Sequence, residues 1–165
     1  MIRVIVGDLA LVAADAVVRP AGADLGPIGS AAVRLDEAGG DRFAAQRRTA
    51  TALEAGAAVV TGGGELPAGF VLHVVIADER GAADRERVRR ALVSGWQRAG
   101  DWGLRRIATP LVGAEGGRLS PEEALGLLVE TFPGTPAEAG PAELDIVVAA
   151  EAERERLAPL VRRTA

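Results

Sequence analysis

The sequence predicts an α/β fold, a sheet covered by helices, on three observations. Short β-branched runs alternate along the chain with longer segments of helical period. Most of these runs are apolar at successive positions, as in Val71, Leu72, Val74, Val75 and Ile76, which suits strands buried on both faces better than a one-sided ribbon. The length, 165 residues, suits one domain with a real core, since domains run to about 100–200 residues.

In chain order, Ile2 to Val6 is the first strand, closed by a Gly7-Asp8 turn, and Asp15 to Val18 is the second. Pro27 to Ala38 and Asp41 to Leu53 read as two Ala-rich helices separated by a Gly39-Gly40 stop. Ala57 to Thr61 and Phe70 to Ile76 are the next strands, joined by a turn at Gly62-Gly63-Gly64-Glu65-Leu66-Pro67. No helix follows those three glycines, so they cannot present a helix terminus to phosphate and are assigned no chemistry. From Asp84 to Trp102, Val88, Leu92, Trp96 and Ala99 recur at helical spacing, while Arg85, Arg87, Arg89 and Arg90 form a solvated face. Arg106 to Thr109 is the fifth strand. Ser120-Pro121-Glu122-Glu123 then starts a helix, with Ser as N-cap, Pro at the first helical position and Glu123 closing a capping box; it runs to Phe132. Pro133 to Pro141 is a surface connection, Leu144 to Ala149 the last strand and Glu151 to Val161 a charged terminal helix. With no internal repeat or linker, residues 1–165 are expected to form a single domain.

Composition narrows the chemistry. The chain is 48% hydrophobic and 25% charged, ordinary for a globular protein. Its 19 basic residues, all Arg, face 23 acidic ones, and the net charge of −4 offers no broad cationic surface for non-specific nucleic-acid binding. Lys, Asn, Cys and Tyr are absent, in the manner of a GC-rich coding bias. A thiol nucleophile, a disulfide, a Lys Schiff base and a P-loop lysine are thereby excluded. Gly, Pro, Asp and Arg interrupt every apolar stretch, so no membrane span is expected; Met1-Ile2-Arg3-Val4 resembles no targeting segment, and a cytoplasmic location is expected.

Four features bear on a site. Asp8 follows the first strand, where ligands of open α/β sheets collect, and its carboxylate can accept from an exocyclic amine; an ordinary turn residue is the plain alternative. Leu111-Val112-Gly113-Ala114-Glu115-Gly116-Gly117 joins a strand to the Ser120 helix, a position from which backbone N–H groups and a helix N-terminus approach phosphate, although Glu115 opposes a polyanion. A second Gly-rich segment, Gly22-Ala23-Asp24-Leu25-Gly26-Pro27-Ile28-Gly29-Ser30, precedes the Ala-rich helix, and the two loops can close on one ligand from opposite sides of a sheet edge. His73, the sole histidine, sits in the most apolar strand and reads as a core residue, so no metal site or cofactor is expected. Ser30, Ser94 and Ser120 lie in no GxSxG elbow, which leaves a serine triad unsupported.

The order of these motifs resembles the macro domains, which bind ADP-ribose and related nucleotides. Val4-Ile5-Val6-Gly7-Asp8-Leu9 is similar to the family's first strand and Gly-Asp-Ile/Leu turn, and Asp15-Ala16-Val17-Val18-Arg19-Pro20-Ala21-Gly22 to its Asp-Ala-Ile-Val-Asn-Ala-Ala-Asn segment. Gly56-Ala57-Ala58-Val59-Val60-Thr61, then Leu66-Pro67, then Phe70-Val71-Leu72-His73, resembles its Gly-x-Ala-x-x-Thr, Leu-Pro and strand ending in Ile-His. Pro110 to Gly117 falls on the family's second phosphate loop and Gly26 to Ala32 on its first. The resemblance implies a three-layer α/β/α sandwich with a mixed, mostly parallel sheet of about six strands.

It also implies a ligand and a set of contacts. Asp8 matches the aspartate that meets the adenine amino group, and Leu9 the neighbour whose backbone holds the base. The implied ligand-binding set is Asp8, Leu9, Ala21, Gly22, Gly29, Ser30, Val112, Gly113, Ala114, Glu115, Gly116 and Gly117. This chain departs from the family where Arg19 and Gly22 stand for two asparagines, which weakens the distal-ribose contacts and speaks against ADP-ribosyl hydrolysis, and where Ala114-Glu115 replaces a Ser/Thr-Gly pair, so that a hydroxyl donor is lost and an anion gained. Three readings follow. The first is a binding module for ADP-ribose or a smaller adenine nucleoside derivative, without hydrolase activity. The others are a degenerate macro-like scaffold for protein assembly, its pocket closed by Arg19 and Glu115, and an ADP-ribosyl or O-acetyl-ADP-ribose hydrolase. Opposite charge on facing loops predicts an Arg19–Glu115 ion pair. Self-association stays open.

Overall fold

The β-branched runs fold as strands of one sheet. A computed structural model describes residues 1–48, 51–79, 81, 83–133 and 140–164, with residues 163 and 164 described by backbone alone. The strands are β1 (Ile2–Val6), β2 (Ala16–Ala21), β3 (Ala58–Gly62), β4 (Phe70–Val75), β5 (Arg106–Thr109) and β6 (Glu143–Val148). Their order is β1-β6-β5-β2-β4-β3, parallel throughout except for β3, which pairs antiparallel with β4 at the edge. The β3–β4 pair follows from the glycine turn expected there, where Gly63 N–H donates to Gly69 O at 3.0 Å.

Among the described residues, four helices cover the sheet: α1 (Ser30–Gln46), α2 (Arg85–Asp101), α3 (Pro121–Thr131) and α4 (Glu151–Thr164). Successive strand residues point to opposite faces, and the core divides accordingly. Val17, Val71, Ala108 and Val147 pack with Leu35 and Phe43 of α1. Their neighbours Val18, Leu72, Ile107 and Ile146 pack with Val88, Leu92 and Trp96 of α2, Leu125 and Leu128 of α3 and Leu157 of α4. The apolar runs of β2 and β4, interrupted by the buried Arg19 and His73, thus mark two-sided burial.

Local signals set the helix ends. Asp84 caps α2 by accepting from Arg87 N–H, and Ser120 caps α3 in a reciprocal box with Glu123, with Pro121 at the first position. Arg85 and Arg89 reach Glu130 of α3 from their exposed face. The second strand, expected to end at Val18, runs on through Arg19 and Pro20 to Ala21, and the Ala-rich region departs further from expectation. In place of helices over 27–38 and 41–53, one kinked helix begins at Ser30 and ends at Gln46. It begins late because Pro27 bridges Ala21 in extended backbone, with Ile28 N–H bonded to Pro20 O. The Gly39-Gly40 stop is a kink: Gly40 has φ 75° and ψ −173°, and Glu65 lies where a side chain would project. It ends early because Arg47 turns back over the Phe43 ring, and Leu53 N–H is committed to Ala23 O at 2.8 Å. A 3-10 turn at Leu9–Leu11, which the sequence did not signal, follows β1. Of the expected connection Pro133 to Pro141, residues 134–139 lie outside the described ones. No helix among the described residues is long and apolar enough to cross a membrane.

Candidate ligand-binding site

Because β1, β6, β5 and β2 are parallel neighbours, their carboxyl ends open on one edge, where open α/β sheets bind ligands. Gly7-Asp8-Leu9 follow β1, Val147 and Val148 end β6 with Ala149 just after them, Pro110-Leu111 follow β5 and Pro20 is the residue before the end of β2. Together with the first turns of α1, they line a cleft of about 1100 Å³. That is just above the roughly 300–1,000 Å³ of small-molecule sites.

Asp8 stands at one wall. One carboxylate oxygen, Oδ1, accepts from Ala10 N–H at 3.0 Å and caps the 3-10 turn; the other, Oδ2, accepts from Arg34 Nε at 3.0 Å. A carboxylate offers about four acceptor positions, so Asp8 keeps capacity for a ligand donor while its charge is partly met by Arg34. Leu9 lines the same wall with its side chain buried.

The two glycine-rich loops meet across the cleft. The segment after β2 folds back at Gly22–Gly26, where Gly22 N–H donates to Gly26 O and Asp24 accepts from Gly26 N–H. This reversal carries Ile28, Gly29 and Ser30 beside Pro20. From the other side, Gly116 approaches so closely that a Cβ there would lie 2.8 Å from Ile28 Cγ2, and Gly29 abuts the Glu115 backbone. Ser30 Oγ donates to Glu115 Oε2 at 2.6 Å, joining the loops directly.

Of the sequence-derived set, Asp8, Leu9, Gly29, Ser30, Ala114 and Glu115 line the cleft. The remaining members have other places. Ala21 is fully buried with Leu25 and Val75, and Gly22 belongs to the fold-back turn. Val112 is in the core, and Gly113 (φ 92°) is wedged against Leu119 and Val88. Gly116 joins the two loops, and Gly117 packs on the Gly113 backbone in the turn that leads to α3.

The expected Arg19–Glu115 pair does not form. Arg19 has no exposed surface and points under α1, donating to both oxygens of Asp36 at 2.8 and 2.9 Å, to Leu25 O at 2.7 Å and to His73 Nδ1 at 3.2 Å. An extended arginine on β2 beside α1 finds this carboxylate inside the fold, while Glu115 is held by Ser30. Since a guanidinium only donates, His73 Nδ1 accepts, so Nε2 carries the proton and donates to Thr61 Oγ1 at 2.7 Å. Burial first, then the charges of Arg19 and Arg47, lower the His73 pKa to about 3. His73 is a neutral core residue, in line with its apolar strand.

A comparison with protein-family models matches the macro domain to residues 18–128, more than half of the chain. The chain belongs to the macro domain family. An uncharacterized protein of Aeropyrum pernix is 35% identical over 124 residues, 74% of this chain; the chain spans 66% of that protein, just under two thirds. Among solved structures, the Oceanobacillus iheyensis macrodomain with ADP superposes at a TM-score of 0.79 with 19% identity, over 97% of this chain and 91% of that one. The Trypanosoma brucei macrodomain in complex with ADP gives 0.79 at 23% identity, over 97% and 68%. These likenesses establish the fold of this macro domain, with its mixed six-stranded sheet.

Several lining residues of the macro domain escape motif reading. Arg34 lies four residues after Ser30, which places both on one helix face; that spacing was the available signal. Glu37 continues the same helix, and Val147 to Ala149 and Glu153 enter because β6 lies next to β1, a strand order that periodicity does not encode.

Proposed function

We propose that this macro domain is a binding module whose cleft takes ADP-ribose or a smaller adenine nucleoside derivative, without hydrolase activity. The observation that carries the reading is the convergence of Asp8 and the two joined loops, Ile28–Ser30 and Glu115-Gly116, on one cleft at the carboxyl edge of the sheet. Asp8 accepts from the adenine amino group, Leu9 supports the base and the loops enclose the ribose side. The Oceanobacillus iheyensis and Trypanosoma brucei macrodomains with ADP support the ligand class. The lining offers no thiol, histidine or lysine to act as nucleophile or base, and Arg19 and Gly22 replace the two family asparagines, which supports recognition rather than turnover.

Calorimetric titration with adenosine and ADP-ribose at millimolar concentration tests the reading. Binding heat that Asp8→Ala diminishes supports it. Absence of heat with both compounds favours the alternative of a scaffold for protein assembly, to which the Ser30–Glu115 bond across the cleft lends its own support. Release of ADP-ribose from a modified protein points instead to a hydrolase.

A further inference from the structure

The N-terminus of α1 opens on the cleft without a side-chain cap. Its N-cap is Gly29, at φ 90° and ψ 162°, which has no oxygen to offer the first-turn amides. A helix end of this kind carries a partial positive charge and attracts an anion. Here a protein anion is already beside it. Glu115 comes from the facing loop, its carboxylate held by the hydroxyl of Ser30, the first residue of the helix. The approach is sterically fixed: Gly29 lets the Glu115 backbone and Cβ come close, and Gly116 lets its own loop rest on Ile28.

We infer that Glu115 is a specificity-determining residue whose carboxylate takes the anion position at the N-terminus of α1, so that the cleft selects adenosine derivatives lacking a pyrophosphate. This rests on the adenine-binding reading and narrows it. A pyrophosphate approaching the same helix end must displace the carboxylate from Ser30 or lie beside a like charge, and both weaken binding. The rest of the lining acts in the same direction. Among the described residues, its charged members are Asp8, Glu37, Glu115 and Glu153 against one cation, Arg34, and Arg34 is engaged by Asp8. A nucleoside meets none of this repulsion, since its polar groups are uncharged.

The experiment is calorimetry of the full chain and of Glu115→Gln and Glu115→Gly, each titrated with adenosine and with ADP-ribose at low and at physiological salt. The wild-type protein should bind adenosine at least tenfold more tightly than ADP-ribose. Both variants should raise the ratio of ADP-ribose to adenosine affinity at least tenfold, and the ratio in the wild type should rise with salt as the repulsion is screened. Wild-type binding of ADP-ribose as tight as that of adenosine, or an unchanged ratio in both variants, overturns the selection by Glu115 while leaving the adenine reading intact. If neither compound binds any of the three proteins, the adenine reading fails and takes this inference with it.

Discussion

Arg19 and Asp36 form a two-point ion pair, at 2.8 and 2.9 Å, that ties β2 to α1 inside the protein. The arginine is fully buried, and Asp36 also accepts from Arg47 at 3.0 Å. Removing the carboxylate leaves an interior guanidinium charge unmet, which is costlier than losing the attraction itself. Asp36→Ala should therefore destabilise the fold by about 3–5 kcal/mol, read from urea unfolding midpoints. A loss below about 1 kcal/mol, the range of exposed pairs, would show that the pair contributes little.

The same network makes stability depend on pH through His73. Its pKa of about 3 in the fold lies below the ordinary 6.5, from burial first and the nearby arginines second. Between these values the unfolded chain binds a proton that the folded one does not. The contribution is fully present above pH 6.5 and is lost as pH falls toward 3, at about 1.4 kcal/mol per pH unit. Measured between pH 6.5 and 5, the wild-type protein should lose about 2 kcal/mol more than His73→Gln. Equal losses in the two proteins contradict the assignment of a neutral His73.

Asp8→Asn separates charge from shape at the cleft wall. The amide oxygen can still accept from Ala10 N–H, so the 3-10 turn keeps its cap. A ligand amine, however, loses a charged acceptor, and hydrogen bonds to charged groups contribute about 1.5–3 kcal/mol. Affinity for adenosine should fall by about tenfold or more, with the urea midpoint little changed. Unaltered affinity places the base elsewhere.

At the start of α3, Ser120 and Glu123 satisfy two orphan amides reciprocally. Ser120→Ala should cost about 0.5–2 kcal/mol, measured by thermal or urea unfolding, and Ser120→Asp should recover most of it, since Asp is also a favoured N-cap.

The strands and most helix ends were legible because their determinants are local. β-branched runs, the Asp84 and Ser120 caps and the glycine turn before β4 each act within a few residues. The Ala-rich region was read less well because its end is set from afar, by Asp36 drawing Arg47 and by Ala23 holding Leu53. The candidate site divides in the same way. Asp8 is visible as a turn residue after a strand, and Ser30 and Glu115 as members of glycine loops. That these two bond to each other, and that Arg19 turns inward to Asp36 rather than toward Glu115, depends on side-chain direction in the folded state. Val148 and Glu153 reach the cleft only through the strand order, which brings the last strand beside the first, whereas Arg34 follows Ser30 by one helical turn.

The most direct measurement is a crystal structure of the protein grown with adenosine at millimolar concentration. The account predicts the base in the cleft with its amino group within hydrogen-bond distance of Asp8 and the ribose directed toward Ser30 and Glu115. A well-ordered structure with adenosine bound away from Asp8, or with the cleft closed and no nucleoside present, would contradict it.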